Sequence, residues 1–188
     1  MKHELWYSVV VRNRHGKVLS RERRRGRSFL KQWNQLVYAH MMQVYSLSGV
    51  LDTGGTPRAI SDHDNGFWMA QGGAGTTYGL RVGTGSTPVA IDDYALETPI
   101  GQGVGAGQME HQACTVAISV VSAPSCYFVV SRTITNNSGD SITVREAALY
   151  MRAASSYYLC GARDVFGTPQ VVPNGGSITV DWTLQVTV

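Results

Sequence analysis

Charge is scarce in this chain, and features of several common protein classes are missing. Only 15% of its 188 residues are charged while 43% are hydrophobic, and a charged share of about 25% is usual for soluble domains. Such a composition suits a surface covered by partners, and equally a solitary soluble domain. No run of about 18 apolar residues occurs, so no membrane span is expected. No apolar segment with a cleavage site opens the chain, so we expect no secretory signal.

Residues that commonly build metal or catalytic sites are also few. Cys114, Cys126 and Cys160 are odd in number and form no CxxC pair, which argues against both a disulfide framework and a zinc site. We expect all three to be reduced strand residues. The histidines form no HxxxH pattern, and no GxSxG elbow precedes a helix. The sequence therefore predicts no catalysis, no metal and no cofactor.

The charge that is present is strongly polarised along the chain. Residues 1–31 hold ten of the sixteen basic residues and two of the thirteen acidic ones, a net charge of +8, whereas the remainder carries −5. Five arginines fall within seven residues: Arg21, Arg23, Arg24, Arg25 and Arg27. Such a run suits an acidic protein surface, because arginine pairs bidentately with carboxylates. A solvated strand end and a contact with nucleic-acid phosphates are the alternatives.

The first part of the chain reads as a β-hairpin followed by one helix. Residues 5–12 and 18–23 are strand-like around a turn at Gly16. Apolar residues then recur at steps of three and four, which predicts an amphipathic helix over about 27–46 with Ser28 as its N-cap. We expect the arginine run and the helix face around Trp33 and Tyr38 to contact a neighbouring subunit.

The rest of the chain predicts an antiparallel β-sandwich of jelly-roll type. Residues 47–77 are rich in glycine and predict a long loop or arm that crosses a subunit boundary, with a possible short strand at 67–69. Period-two alternation and turn residues predict strands at 78–82, 109–121, 127–135, 142–151, 157–165 and 178–188. The predicted organisation is an anchoring segment at 1–46, the loop at 47–77 and the sandwich at 78–188.

Two polar stretches resemble ligand-binding sites, but neither has the residue pattern that such a site needs. Gly83-Thr84-Gly85 lacks the lysine and the following helix that a phosphate loop needs. Asp92, Asp93 and Glu97 lack the alternation of a calcium loop, so we expect Asp92 to cap a single helical turn at 93–97. The stretch 61–65, Ser-Asp-His-Asp-Asn, reads as a solvated turn.

Three stretches share a pattern of turns that lead into strands. They are YGLRVGTGSTPVAIDDYALETPI, SRTITNNSGDSITVREAALYM and RDVFGTPQVVPNGGSITVDWTLQV. This pattern, together with the leading segment RSFLKQWNQLVYAHM, resembles virion structural proteins of tailed bacteriophages. The resemblance implies a particle subunit made in the host cytoplasm: a capsid decoration, neck or tail accessory protein. A long repetitive shaft, typical of receptor-binding fibres, is missing.

The expected function is accordingly binding alone. The expected partners are copies of the chain, in a trimer or ring by analogy, and other virion proteins. One alternative is a host-surface or glycan-binding tail module that uses Trp68, Tyr157 and Tyr158 as stacking platforms. The other is a nucleic-acid-associated protein that uses the arginine run, with a steep salt dependence of binding.

Overall fold

Strands make up most of the structure. The computed structural model describes residues 2–26, 29–63, 66–153 and 157–188. The elements within those ranges are β1 Lys2–Arg12, β2 Val18–Gly26, α1 Lys31–Met42, β3 Leu47–Leu51, β4 Pro57–Ile60, β5 Gly79–Gly83, β6 Gly101–Gln102, β7 Gln108–Val116, β8 Val120–Ser122, β9 Ser125–Thr135, β10 Ile142–Arg152, β11 Tyr158–Val172 and β12 Ser177–Thr187. The predicted mainly β class with one helix is confirmed.

The larger of the two main sheets has seven strands, and it includes the N-terminal hairpin. Its order is β2-β1-β12-β9-β7-β6, and β8 also pairs with β9. Every pairing is antiparallel except the two-residue parallel contact between β6 and β7. Strand β1 pairs with β12 over its whole length, from Lys2 to Arg12. The hairpin that we expected in a separate segment, 1–46, thus shares a sheet with the sandwich strands.

The main core lies between this sheet and a three-stranded sheet of order β11-β10-β5. Alternation along β12 directs Ile178, Val180, Trp182 and Leu184 inward, where all four are buried. One face of the last strand therefore contributes to the main core. The opposite face of β12 carries polar side chains that pair with those of β9, such as Thr179 with Thr133 (Oγ1 to Oγ1, 2.9 Å).

The outer face of the three-stranded sheet is covered by the chain itself. Residues 84–99 cross this face and bury a second apolar cluster that contains Leu96, Tyr150 and Cys160. Leu30, which precedes α1, joins the same cluster. The smaller sheet therefore has an apolar layer on both of its faces.

The helix is shorter than its apolar pattern predicted. It spans Lys31–Met42 instead of 27–46, because the chain is still extended just before it: Phe29 forms a β-bridge with Ala162. Leu30 occupies the N-cap position without a side-chain cap, and the predicted cap Ser28 lies outside the described residues. The helix ends at Gln43, whose left-handed backbone (φ 51°) stops it.

The glycine-rich segment 47–77 is more ordered than we expected. It contains the hairpin β3–β4, in which Val50 and Ile60 are fully buried in the main core. Only an isolated bridge, Trp68 to Arg152, forms where a strand at 67–69 was considered. Part of this segment thus packs on its own chain, and its crossing of a subunit boundary stays a prediction.

Candidate interaction surfaces

The arginine run lies on an edge strand, and its alternation divides it between two faces. Within the described residues strand β2 pairs only with β1, in a register that places Arg21, Arg23 and Arg25 opposite Val10, Ser8 and Trp6. Because side chains alternate along a strand, these three arginines project from the outer face of the large sheet about 7 Å apart. Arg24 projects from the opposite face, and Arg27 lies outside the described residues.

Contacts within the chain compensate part of this charge. Arg24 Nε lies 2.9 Å from Glu22 Oε1, and Arg25 Nη2 lies 3.2 Å from Glu4 Oε1. The guanidinium of Arg23 sits over the Trp6 ring, 5.4 Å from its centroid. Among the described residues Arg21 has no acidic partner. Of the four described arginines of the run, Arg21 and Arg23 are therefore the two whose charge has no acidic partner and is available to another protein.

Glu22, the acid inside the arginine run, joins the two sheets. Its carboxylate accepts hydrogen bonds from the hydroxyl of Tyr7 and the amides of Gly167 and Thr168, at 2.9, 2.9 and 3.1 Å. These amides belong to β11, across the sandwich. Burial, together with the bond to Glu22, raises the pKa of Tyr7. The sequence alone did not reveal this structural role.

The two helix residues predicted as anchors face different directions. They are five positions apart, which separates them by about 140° around the helix axis. Trp33 is partly buried and packs against the rings of Phe29 and Phe67, at centroid distances of 4.8 and 5.1 Å. Tyr38 is exposed. The two side chains therefore lie on different sides of the helix, with Tyr38 exposed and Trp33 only partly so, and their contact with a neighbouring subunit stays a prediction.

A second surface lies at the other edge of the large sheet. Residues 71–74 cover the first part of this edge, since Cys114 N donates to Gln71 O and Ala74 N donates to His111 O. Beyond that point β8 has β9 as its one strand partner among the described ranges, and residues 115–122 are all exposed. Ile118 is 87% exposed and Val121 is 80% exposed. We call residues 115–122 the uncharged edge.

The name reflects the absence of charged residues from this part of the sequence. No Lys, Arg, Asp or Glu occurs anywhere between His111 and Ser131. Sheet edges of soluble proteins usually carry charges, proline or a covering segment, because an open edge pairs with other strands. Residues 115–122 contain no charge and no proline, and no segment in the described part of the chain covers them. The absence of charge over 111–131 was readable from the sequence, but its position on an edge was not.

The acidic stretch after Gly83-Thr84-Gly85 forms a clamp around a buried arginine. Arg163 is 2% exposed; its Nε donates to Glu146 Oε2 and its Nη1 to Asp93 Oδ2, both at 2.7 Å. Its Nη2 donates to the carbonyl of Thr87 at 3.2 Å. Burial alone would lower the pKa of Arg163, but the bonds to Glu146 and Asp93 outweigh it and raise that pKa.

Glu146 holds both ends of the loop in place. Its carboxylate accepts hydrogen bonds from the amides of Gly85, Glu97 and Thr98, at 3.1, 3.2 and 2.9 Å. Glycine is required for this approach: a Cβ on Gly85 would lie 2.6 Å from Glu146 Oε1, and one on Gly83 would lie 2.6 Å from the carbonyl oxygen of Thr98. The two glycines therefore serve close packing of the loop against Glu146.

The predicted helical turn capped by Asp92 is wrong. The chain forms no helix at 93–97. Asp93 instead accepts from the amide of Ala90 at 3.1 Å, and Glu97 accepts from the amides of Ser86 and Thr87 at 2.7 and 2.8 Å. The Thr87 bonds lower the pKa of Glu97. The turn forms through contacts with Arg163, which is far away in sequence, so local spacing could not predict it.

The cysteines and the polar stretch 61–65 were the remaining candidates for a reactive or metal-binding site. All three cysteines are free, and Cys114 and Cys160 are buried while Cys126 is partly so. The described ranges contain no group of three His, Cys, Asp or Glu side chains that could hold a metal. In the stretch 61–65, His63 Nδ1 contacts Asp62 Oδ1 at 2.5 Å, whereas Asp64 and Asn65 lie outside the described residues.

The aromatic residues considered as stacking platforms have different environments. Trp68 is exposed and carries the guanidinium of Arg152 at 5.1 Å from its ring centroid. Tyr157 is partly buried and donates its hydroxyl to the carbonyl of Ala59 at 2.8 Å. Tyr158 stacks on Tyr78, with ring centroids 6.0 Å apart. Trp68 and Tyr158 both flank Arg152, whereas Tyr157 is a packing residue.

The sequence also gave no sign of a buried cationic group. Arg81 and Arg132 are buried and donate to the carbonyls of Thr76 and Leu80, respectively. His111 is buried near both. Burial lowers the pKa of each of the two arginines.

Comparisons with known proteins add no assignment. The chain matches no family model, no curated protein and no solved structure. Within the described residues, no helix is long and apolar enough to cross a membrane.

Proposed function

We propose that this chain is a non-enzymatic structural subunit of a tailed-bacteriophage particle, which associates with copies of itself and docks on neighbouring virion proteins. The uncharged edge carries the proposal. Its open backbone groups and its apolar side chains, including Ile118 and Val121, fit a partner strand that completes the sheet. The resemblance of the turn pattern to virion proteins supplies the setting.

The acidic clamp supports a non-enzymatic role. Asp93, Glu97 and Glu146 are the acids that lie closest to a catalytic arrangement, and each accepts hydrogen bonds from backbone amides or from Arg163. A general acid or base needs a carboxyl group that can reach a substrate and exchange a proton with it. These three carboxylates instead hold residues 84–98 against the smaller sheet.

Self-association through the uncharged edge is tested by adding charge to it. An Ile118→Lys/Val121→Lys variant is expected to weaken self-association at least tenfold, because lysine on an edge strand must lose its hydration when another strand pairs there. Light scattering coupled to size-exclusion chromatography measures the oligomeric state over a range of concentrations. Val104→Lys, at a site 57% exposed and outside the edge, is the matched control and should associate like wild type.

Wild type that remains monomeric at about 100 μM would contradict self-association. A lysine variant that assembles as well as the Val104→Lys control would place the interface elsewhere on the molecule.

Docking through the available arginines is tested in particles. An Arg21→Glu/Arg23→Glu variant is expected to be present at less than about a tenth of the wild-type copies per purified particle, because both charges that face a partner are reversed. Quantitative mass spectrometry of particles gives the copy number, and Arg14→Glu/Arg145→Glu, with the same change in net charge, is the control.

Unchanged occupancy of the arginine variant would contradict docking through β2. If that variant instead loses a steeply salt-dependent affinity for DNA, the nucleic-acid alternative replaces the protein partner. Absence of the wild-type chain from purified particles would contradict the virion role itself.

A further inference from the structure

We propose that a depression over the outer face of the three-stranded sheet binds an acidic saccharide, one that carries a carboxylate. The depression has a volume of about 470 Å³, within the usual range of about 300–1,000 Å³ for small-ligand sites. Arg81 and Tyr150 lie at its base, and Tyr94 and Tyr158 line it. The site is separate from β2 and from the uncharged edge.

The walls of the depression are fixed before any ligand arrives. One wall is the turn between β3 and β4, where Asp52 Oδ1 accepts from the amides of Gly54 and Thr56, each at 2.9 Å. The amide of Thr53 donates to the carbonyl of Tyr158 at 2.9 Å and ties this turn to β11. A preformed site loses little conformational entropy on binding, which favours affinity for a small ligand.

Aromatic rings supply the surfaces that a sugar ring needs. Tyr158 is held in place by its stack on Tyr78, with an angle of 9° between the ring planes. Tyr94 is partly exposed, and its ring lies so close to Gly55 that a Cβ there would be 3.2 Å from it. Rings fixed in this way can stack on the C–H face of a pyranose while surrounding polar groups bond its hydroxyls.

The charge at the base of the depression selects an anion. The described residues that line it include no Asp or Glu. Arg81 is 7% exposed, and of its five N–H donors two have partners, the carbonyls of Thr76 and Ile100, while Nε has none. A buried guanidinium without a carboxylate is costly unless an anion approaches it.

Two carboxylated probes and their neutral counterpart test this inference on the full chain. Isothermal titration calorimetry with tetramers of galacturonic acid and of sialic acid is expected to detect binding of at least one, and none of a galactose tetramer. Tyr94→Ala is expected to weaken that binding about tenfold. Tyr45→Ala, which removes an exposed tyrosine distant from the depression in sequence and absent from its lining, should bind like wild type.

The proposal is overturned if neither acidic tetramer binds at millimolar concentration, if the galactose tetramer binds equally well, or if Tyr94→Ala binds unchanged while its melting temperature shows that it is folded. Acetate that competes as well as the tetramers would mean a simple anion site and would also overturn it. Because the assay uses isolated protein, its result is independent of occupancy in particles.

Discussion

Replacing Arg163 with methionine is expected to lower the free energy of unfolding by about 3–5 kcal/mol, the usual cost of removing one partner from a buried ion pair. Glu146 is fully buried and its Oε2 lies 2.7 Å from Arg163 Nε, so the substitution leaves a carboxylate without its cation in the interior. It also removes the bonds to Asp93 and Thr87 that hold residues 84–98. Urea unfolding followed by circular dichroism measures the loss.

Local opening of the loop provides a second measurement. The amides of Gly85 and Thr98 bond Glu146, so their hydrogen exchange should accelerate in Arg163→Met. Cys160, which lies under the loop and is fully buried in the folded protein, should become reactive towards a thiol reagent.

Two further variants distinguish the contribution of the ion pair to stability from a general disruption of the fold. Arg145→Met changes an exposed arginine of the same sheet and should alter the stability by less than about 0.5 kcal/mol. Arg163→Met/Glu146→Gln should be more stable than Arg163→Met alone, because a neutral amide is less costly to bury than an unpaired carboxylate. If Arg163→Met loses less than about 1 kcal/mol, the network contributes little to the fold.

The strands could be predicted from the sequence because their signal is local. Alternation along β12 and the turn residues on either side of it are set by neighbours in the chain, and the prediction at 178–188 matches Ser177–Thr187. The helix was predicted to begin too early, because a β-bridge between Phe29 and Ala162 keeps the chain extended just before Lys31. No local pattern contains that information.

The candidate surfaces, too, were predictable only where neighbours in the sequence determine them. Once β2 is recognised as a strand, alternation alone separates Arg24 from Arg21 and Arg23. By contrast, Glu22 is tied to β11, and the clamp joins Asp93 to Arg163, 70 residues away in sequence. Such contacts depend on which strands become neighbours, and that is a property of the topology.

The buried cationic group makes stability depend on pH. His111 lies in the interior near Arg81 and Arg132, and its Nδ1 lies 3.2 Å from the carbonyl oxygen of Met109. Burial, together with the nearby charges of Arg81 and Arg132, lowers the pKa of His111 to about 3. The ring is therefore neutral in the folded protein well below the pH at which a free histidine takes up a proton.

The sign of the effect follows from proton uptake by the unfolded chain. Above pH 6.5 the ring is neutral in both states, so His111 adds no pH dependence. Between pH 6.5 and about 3 the unfolded state binds a proton that the folded state does not, so stability falls as the pH falls. From proton linkage, we expect the free energy of unfolding to fall by about 2–3 kcal/mol between pH 7 and pH 4.5. Carboxylates with lowered pKa values, such as Glu97, act at lower pH.

A His111→Gln variant should largely remove this loss, because glutamine takes up no proton in either state. Urea unfolding at intervals from pH 7 to 4.5 gives the slope of stability against pH, which does not depend on any constant cost of the substitution itself. His15→Gln, in the exposed turn between β1 and β2, should keep the wild-type slope. An unchanged slope in His111→Gln would show that other groups cause the acid sensitivity. A reduced slope would identify His111, which burial and the two nearby arginines keep neutral in the folded protein, as the main source of the acid sensitivity.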